Sequence, residues 1–166
     1  MRSRHYSRYS QRNYTWNNYG TTVSIIKLTN KIVSSMMREA ELAFPNECCG
    51  LLIGQVLSNG NFIAKKITPS PNIAKENHRD NFELDPQIRF NVMRELRNDS
   101  NKIIGHYHSH PNQTGKPSTK DYNMAFEPEL IWVIVPLENG LAQRPQAHIV
   151  DQIQKRFIEI ELQEFN

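Results

Sequence analysis

A chain of 166 residues is most simply one domain. It can bury roughly 70% of the surface its unfolded form exposes, so it needs no covalent staples. Its longest apolar run, residues 130–135, is about a third of what a membrane span needs, and no early segment has the apolar centre of a signal peptide, so a cytoplasmic protein is expected. The net charge of +3 comes from residues 1–20, where Arg2, Arg4, Arg8 and Arg12 meet no acid; of 20 Lys and Arg, the remaining 16 face 17 acids, a balance near neutral.

Residues 1–21 carry Arg, Ser, Asn and aromatics with almost no aliphatic side chain. Such a composition cannot build a core, and a disordered basic and aromatic tail is expected. Residues 22–28 form a short β-rich run, read as an edge strand opening a domain over 22–166. Thr29 can cap a helix whose apolar face is Ile32, Val33, Met36, Met37, Ala40, Ala43 and Phe44, and Pro45 ends it. Residues 49–53 and 62–67 read as a hairpin across the turn Ser58-Asn59-Gly60-Asn61. The neighbours Cys48 and Cys49 cannot bridge without severe strain, since disulfides need Cα atoms about 4.4–6.8 Å apart. They read as small buried strand residues.

Residues 69–81 are polar, hold two prolines and read as a long loop. Asp85-Pro86 places a capping side chain before a proline at the first helical position. The second helix then buries Ile88, Val92, Met93 and Leu96. A strand follows from 102 through 107, a third helix begins near Ser118, and 131–135 is a β-branched run suited to a central strand. Two more strands fall near 147–150 and 157–162. The pattern is α/β: a mixed β-sheet flanked by about three helices.

The chemistry concentrates in Gly105-His106-Tyr107-His108-Ser109-His110-Pro111 and Pro117-Ser118-Thr119-Lys120-Asp121. Alternate strand residues share a side, so His108 and His110 can aim two imidazoles at one point. Asp121, one turn inside the next helix, can face back towards them. Two imidazoles and a carboxylate suit Zn²⁺, and three protein ligands leave a fourth position for water, as in catalytic zinc sites. Each part has a plainer reading. A His-x-His pair on a strand is often merely exposed, and Ser118 with Asp121 makes a good helix capping pair. Glu47, between a helix-ending Pro45-Asn46 and an apolar strand, reads in isolation as a solvated turn residue.

Together, His108-Ser109-His110-Pro111, Ser118 and Asp121, preceded by Glu47-Cys48-Cys49-Gly50-Leu51-Leu52-Ile53-Gly54, resemble the JAMM/MPN+ metallopeptidases over roughly residues 22–166. The resemblance implies a cytidine-deaminase-like fold and one zinc ion per chain. It makes His108, His110 and Asp121 the ligands, Glu47 the general base and Ser118 the stabiliser of the tetrahedral intermediate. The chain is short around the motif. With Asn72, Arg79 and Phe82-Glu83 it looks like the compact bacterial members. They suggest an isopeptidase or peptidase that hydrolyses the amide next to the C-terminal glycine of a small ubiquitin-like sulfur carrier. Two rivals are a non-catalytic MPN scaffold, which would lose part of the motif, and nucleic-acid association through the Arg and Tyr tail, for which the near-neutral body offers little charge. A base deaminase is excluded by the missing Pro-Cys-x-x-Cys.

Overall fold

The computed structural model describes residues 24–112 and 114–166; the expected disordered tail lies outside them. Strand β1 (Ile25–Thr29) leads into helix α1 (Asn30–Ala43), which the Thr29 hydroxyl caps by accepting from the Ile32 amide. Ile32, Val33, Met36 and Ala40 are the buried stripe, with Met37, Ala43 and Phe44 half-buried behind it. The hairpin is β2 (Cys49–Val56) with β3 (Phe62–Ser70), turned by Gly60 at φ 82°. The long loop therefore starts at Pro71, two residues later than its prolines suggest, and runs to helix α2 (Pro86–Glu95). The Asp85 carboxylate caps α2 by accepting from Gln87 N at 2.8 Å.

Next come β4 (Lys102–Pro111), α3 (Thr119–Met124), β5 (Ile131–Glu138), a two-residue β6 (Leu141–Ala142), β7 (Gln146–Asp151) and β8 (Arg156–Phe165). The strands follow the order β4-β2-β3-β1-β8-β7-β5, and β5 also pairs with β4. The sheet therefore closes into a seven-strand barrel with β6 appended, where simply a mixed sheet flanked by helices was expected. Closure leaves no free edge among these seven strands. It also corrects β1, which lies between β3 and β8, parallel to both, with Ile26 and Leu28 fully buried. No helix among the described residues is long and apolar enough to cross a membrane.

The core lies between the barrel and α1. Leu52, Phe62, Ala64, Val133, Val135, Leu137 and Ile160 meet Ile32, Val33, Met36 and Ala40 there. Helix α2 is looser than its sequence suggests. Val92 alone is buried, Ile88 and Leu96 are partly covered, and Met93 is 56% exposed because α2 touches only the outer side of β2 and β4. A β-bulge in the β2–β4 ladder, where Leu52 pairs with Gly105 but Ile53 with Ile103, inserts Ile104 as an extra residue. Such insertions re-aim the side chains that follow. Ile104 and Tyr107 thus face the α1 core, and His106, His108 and His110 face away from it.

Gly105 sits on the β4–β5 seam, where a Cβ would run into the Ile131 carbonyl. Gly105→Ala should lower stability by about 1–3 kcal/mol, the usual cost of overpacking. It should read as a lower urea midpoint at unchanged slope. An unmoved midpoint would contradict the closed seam.

Candidate metal centre

Three buried side chains converge on one point: His108, His110 and Asp121. The two Nε2 atoms lie 3.0 Å apart, and each is 3.3 Å from one oxygen of Asp121, His108 from Oδ1 and His110 from Oδ2. Ligands about 2.0–2.1 Å from a tetrahedral ion lie roughly 3.3 Å from one another, so the donor set fits zinc. A shared proton can satisfy one pair of these acceptors; a divalent cation satisfies all of them. The His110 ring is oriented from behind, since its Nδ1 lies 3.0 Å from the Thr114 carbonyl. Donation there leaves Nε2 with its lone pair towards the point, the usual outer support of a metal-binding histidine. His108 is held by stacking, its ring 4.2 Å from Phe82 and 17° from parallel.

Electrostatics suit ligation. Burial drives the His108 pKa down, so the ring is neutral with a free lone pair. Burial also acts downward on His110, but the Asp121 carboxylate overrides it and raises the pKa. For Asp121, burial acts upward and is outweighed by hydrogen bonds to both rings, leaving a firmly ionised carboxylate.

Ser118 and Asp121 also form the capping pair that the plain reading anticipated. Asp121 Oδ2 accepts from Ser118 N at 2.6 Å, and Ser118 Oγ accepts from Asp121 N at 3.1 Å. The cap occupies only an acceptor site of the Ser118 hydroxyl and leaves its proton free to be donated.

Glu47 is not a solvated turn residue. It is 4% exposed, and burial pushes its carboxyl up to about 8 against a downward pull from His110. Its place follows from the ladder. Cys49 pairs with His108, and the ladder then continues: Ser109 N donates to Cys48 O at 3.1 Å, and Cys48 N to Ser109 Oγ at 2.9 Å. One further step sets Glu47 beside His110. Asn72 secures it from the loop, with Nδ2 bonded to the carbonyls of Glu47 and Asn81 and Oδ1 accepting from Ala74 N and Glu83 N. Ser109 carried no role in the sequence reading, and Asn72 only a resemblance. Neither has a local signal, because their partners are distant in the chain.

Cys48 and Cys49 are free, and burial raises their thiols to about 11 and about 12, which keeps both protonated. His106 shares the outer side but not the cluster. Its ring packs edge-on against Trp132 at 4.1 Å, and burial lowers its pKa to about 3. It walls an apolar pocket of about 300 Å³ with Phe82, Leu84 and Trp132.

The family model described as prokaryotic homologs of the JAB domain matches residues 29–147. The desampylase of Haloferax volcanii is 31% identical over 93 residues, 54% of this chain and 62% of its own length. The CysO-cysteine peptidase of Mycobacterium bovis is 27% identical over 114 residues, 69% of this chain and 75% of its own. A solution structure of a Desulfitobacterium hafniense protein superposes with a TM-score of 0.73 at 27% identity, covering 85% of this chain and 93% of that one. One from Salinibacter ruber gives a TM-score of 0.63 at 24% identity over 84% and 92%, a likeness of fold.

Because His106 stands outside the converging set, His106→Ala should retain as much zinc as the unaltered protein by elemental analysis. It should still lose roughly 0.5–3 kcal/mol of stability, the ordinary range for a single substitution. Loss of metal in that variant would put the ligand pair one step out of register.

Proposed function

This chain belongs to the prokaryotic homologs of the JAB domain, and on that footing we propose that it is a zinc-dependent peptidase. Its substrate in this reading is the amide that follows the C-terminal glycine of a small ubiquitin-like carrier protein. The observation that carries the reading is the buried Glu47 set beside the converging His108, His110 and Asp121, a set of three that would leave a fourth position on an ion for water. A buried carboxylate with a pKa raised to about 8 is poised to exchange protons near neutral pH. The named relatives, a desampylase and a CysO-cysteine peptidase, support the substrate class.

His108, His110 and Asp121 would hold the ion, which when bound supplies a Lewis acid that lets water ionise near pH 7. Glu47 takes a proton from the attacking water and delivers it to the leaving nitrogen. The free Ser118 proton donates to the carbonyl oxygen as charge builds there, while its oxygen stays anchored by the Asp121 amide. Phe82 and Trp132 pack against the His108 ring and shield that side of the centre from bulk water, which strengthens the interactions there.

Two outcomes follow. The folded protein should carry one zinc per chain, and His110→Ala should lose it, as three ligands leave no spare; full occupancy in that variant would refute the assignment. Glu47→Gln should fold and bind zinc yet cleave a carrier–amino-acid conjugate at least about a hundredfold more slowly, the lower range of general-base contributions. Zinc content and turnover measured on one preparation decide it, and wild-type turnover would remove Glu47 from the mechanism.

A further inference from the structure

Two segments outside the barrel meet at the centre. The loop between β3 and α2, residues 71–85, clamps Glu47. The Glu47 amide donates to the His78 carbonyl at 2.6 Å, and the Glu47 carbonyl accepts from Asn72 Nδ2 at 3.1 Å. Helix α3 carries Asp121. The β2–β4 ladder sets the start of β2 against the histidines, but it includes neither the loop nor α3.

One residue on each segment joins them. Lys120 Nζ donates to Asp80 twice, to the carboxylate Oδ2 at 2.9 Å and to the main-chain carbonyl at 3.3 Å. Among the described residues no other hydrogen bond or ion pair links the loop to α3. Lys120 is the chain neighbour of Asp121. Asp80 lies two residues beyond His78, in a turn where its amide donates to the Asn77 carbonyl at 3.3 Å and Asn77 sits at φ 33°, a conformation that asparagine tolerates. The bond to the carbonyl ties Lys120 to the loop backbone, so a shift of α3 reaches the Glu47 amide through Asp80 and His78.

The pair is poorly placed to stabilise the fold. Its side chains are 56% and 41% exposed, and water and salt screen such an ion pair. Asp80 Oδ1 is buried with no hydrogen-bond partner, which costs free energy. The pair does face the base. Burial is the main cause of the raised Glu47 pKa, and Asp80 acts on it upward and Lys120 downward, so the bridge brings a charge of each sign close to Glu47.

We propose that Asp80 and Lys120 are positioning residues: their bridge holds the loop that clamps Glu47 against the helix that carries Asp121, and so fixes the separation of base and ligand. The inference rests on the peptidase reading above and adds the pair that sets its geometry. Proton transfer needs the base within hydrogen-bond reach of the water, and a misplacement of about 1 Å can cost about a hundredfold in rate. A clasp that adds little to stability can therefore add much to turnover. In this role neither side chain touches the reacting atoms.

Hydrogen exchange followed by NMR reads the clasp without metal or substrate. In Lys120→Met the Glu47 amide should exchange at least about tenfold faster than in the unaltered protein, while the Leu52 amide within β2 keeps its rate. Lys120→Arg should restore the slow exchange. Unchanged exchange at Glu47 overturns the proposal whatever the activity, and so does an equal rise at Leu52, since the loosening would then be global. Turnover is measured on a ubiquitin-fold carrier joined through its terminal glycine to an alanine, with zinc content read on the same preparations. Lys120→Met and Asp80→Ala should each keep one zinc per chain, lower kcat at least about tenfold and leave KM within about twofold. The double variant should be no slower than the slower single one, and Lys120→Arg should recover most of the rate. An unchanged kcat overturns the proposal, as do losses that multiply in the double variant, because the residues would then act separately. A loss confined to KM overturns it too, because Lys120 would then be a substrate contact. Fast Glu47 exchange in Lys120→Met, beside an unaltered zinc-loaded protein that cleaves no conjugate, overturns the peptidase reading and leaves the clasp standing.

Discussion

The centre depends on the antiparallel ladder between β2 and β4. Glu47 and His110 are 63 positions apart, and no contact of their own fixes their distance. They are neighbours because Cys49 pairs with His108 and because Ser109 and Cys48 exchange two further hydrogen bonds beyond it. Ser109 is fully buried, so neither of its bonds can be traded for water without loss. A shift of one residue in this ladder would turn Glu47 to the other side of the strand and separate the proposed base from the proposed ligands.

The same ladder contains the bulge that chooses the face. With unbroken alternation from Ile103, which lies on the α2 side, Tyr107 would share that side and leave the α1 core, and the histidines would turn into it. With the bulge, Tyr107 reaches Glu39 of α1 through its hydroxyl, and the three histidines turn together to the side of Phe82 and Trp132. Period-two alternation correctly pairs His108 with His110 because the bulge precedes both. It would fail if extended back through Ile104.

This explains what could be read in advance. Features set by neighbours in the chain were legible: the caps at Thr29, Asp85 and Ser118, the Asn59-Gly60 turn and the buried run of β5. The ligand trio was legible as a possibility, because His-x-His and Ser-x-x-Asp are short-range patterns. Features set by distant pairing were not. The β4–β5 pairing that closes the barrel is parallel and spans a whole helix, and the position of β1 inside the sheet depends on the last strand of the chain. Glu47 is the sharpest case, since its surroundings in sequence suggest solvent and its surroundings in space are a loop, a strand and an ionised Asp121.

Asp121 shows why a plain and a chemical reading need not compete. A carboxylate has two oxygens with about four acceptor positions. Oδ2 accepts the Ser118 amide and still faces His110, while Oδ1 faces His108. The cap thereby fixes the rotation of the carboxylate, and the carboxylate fixes the first turn of α3 against β4. The helix is only six residues long, too short to be stable alone, so its position is owed to this end. Ser118 inherits the same economy: its oxygen is held by the cap and its proton is free. A displacement of α3 would therefore move the proposed ligand Asp121 and the proposed proton donor Ser118 together, so the cap that starts this short helix also sets the geometry of the centre.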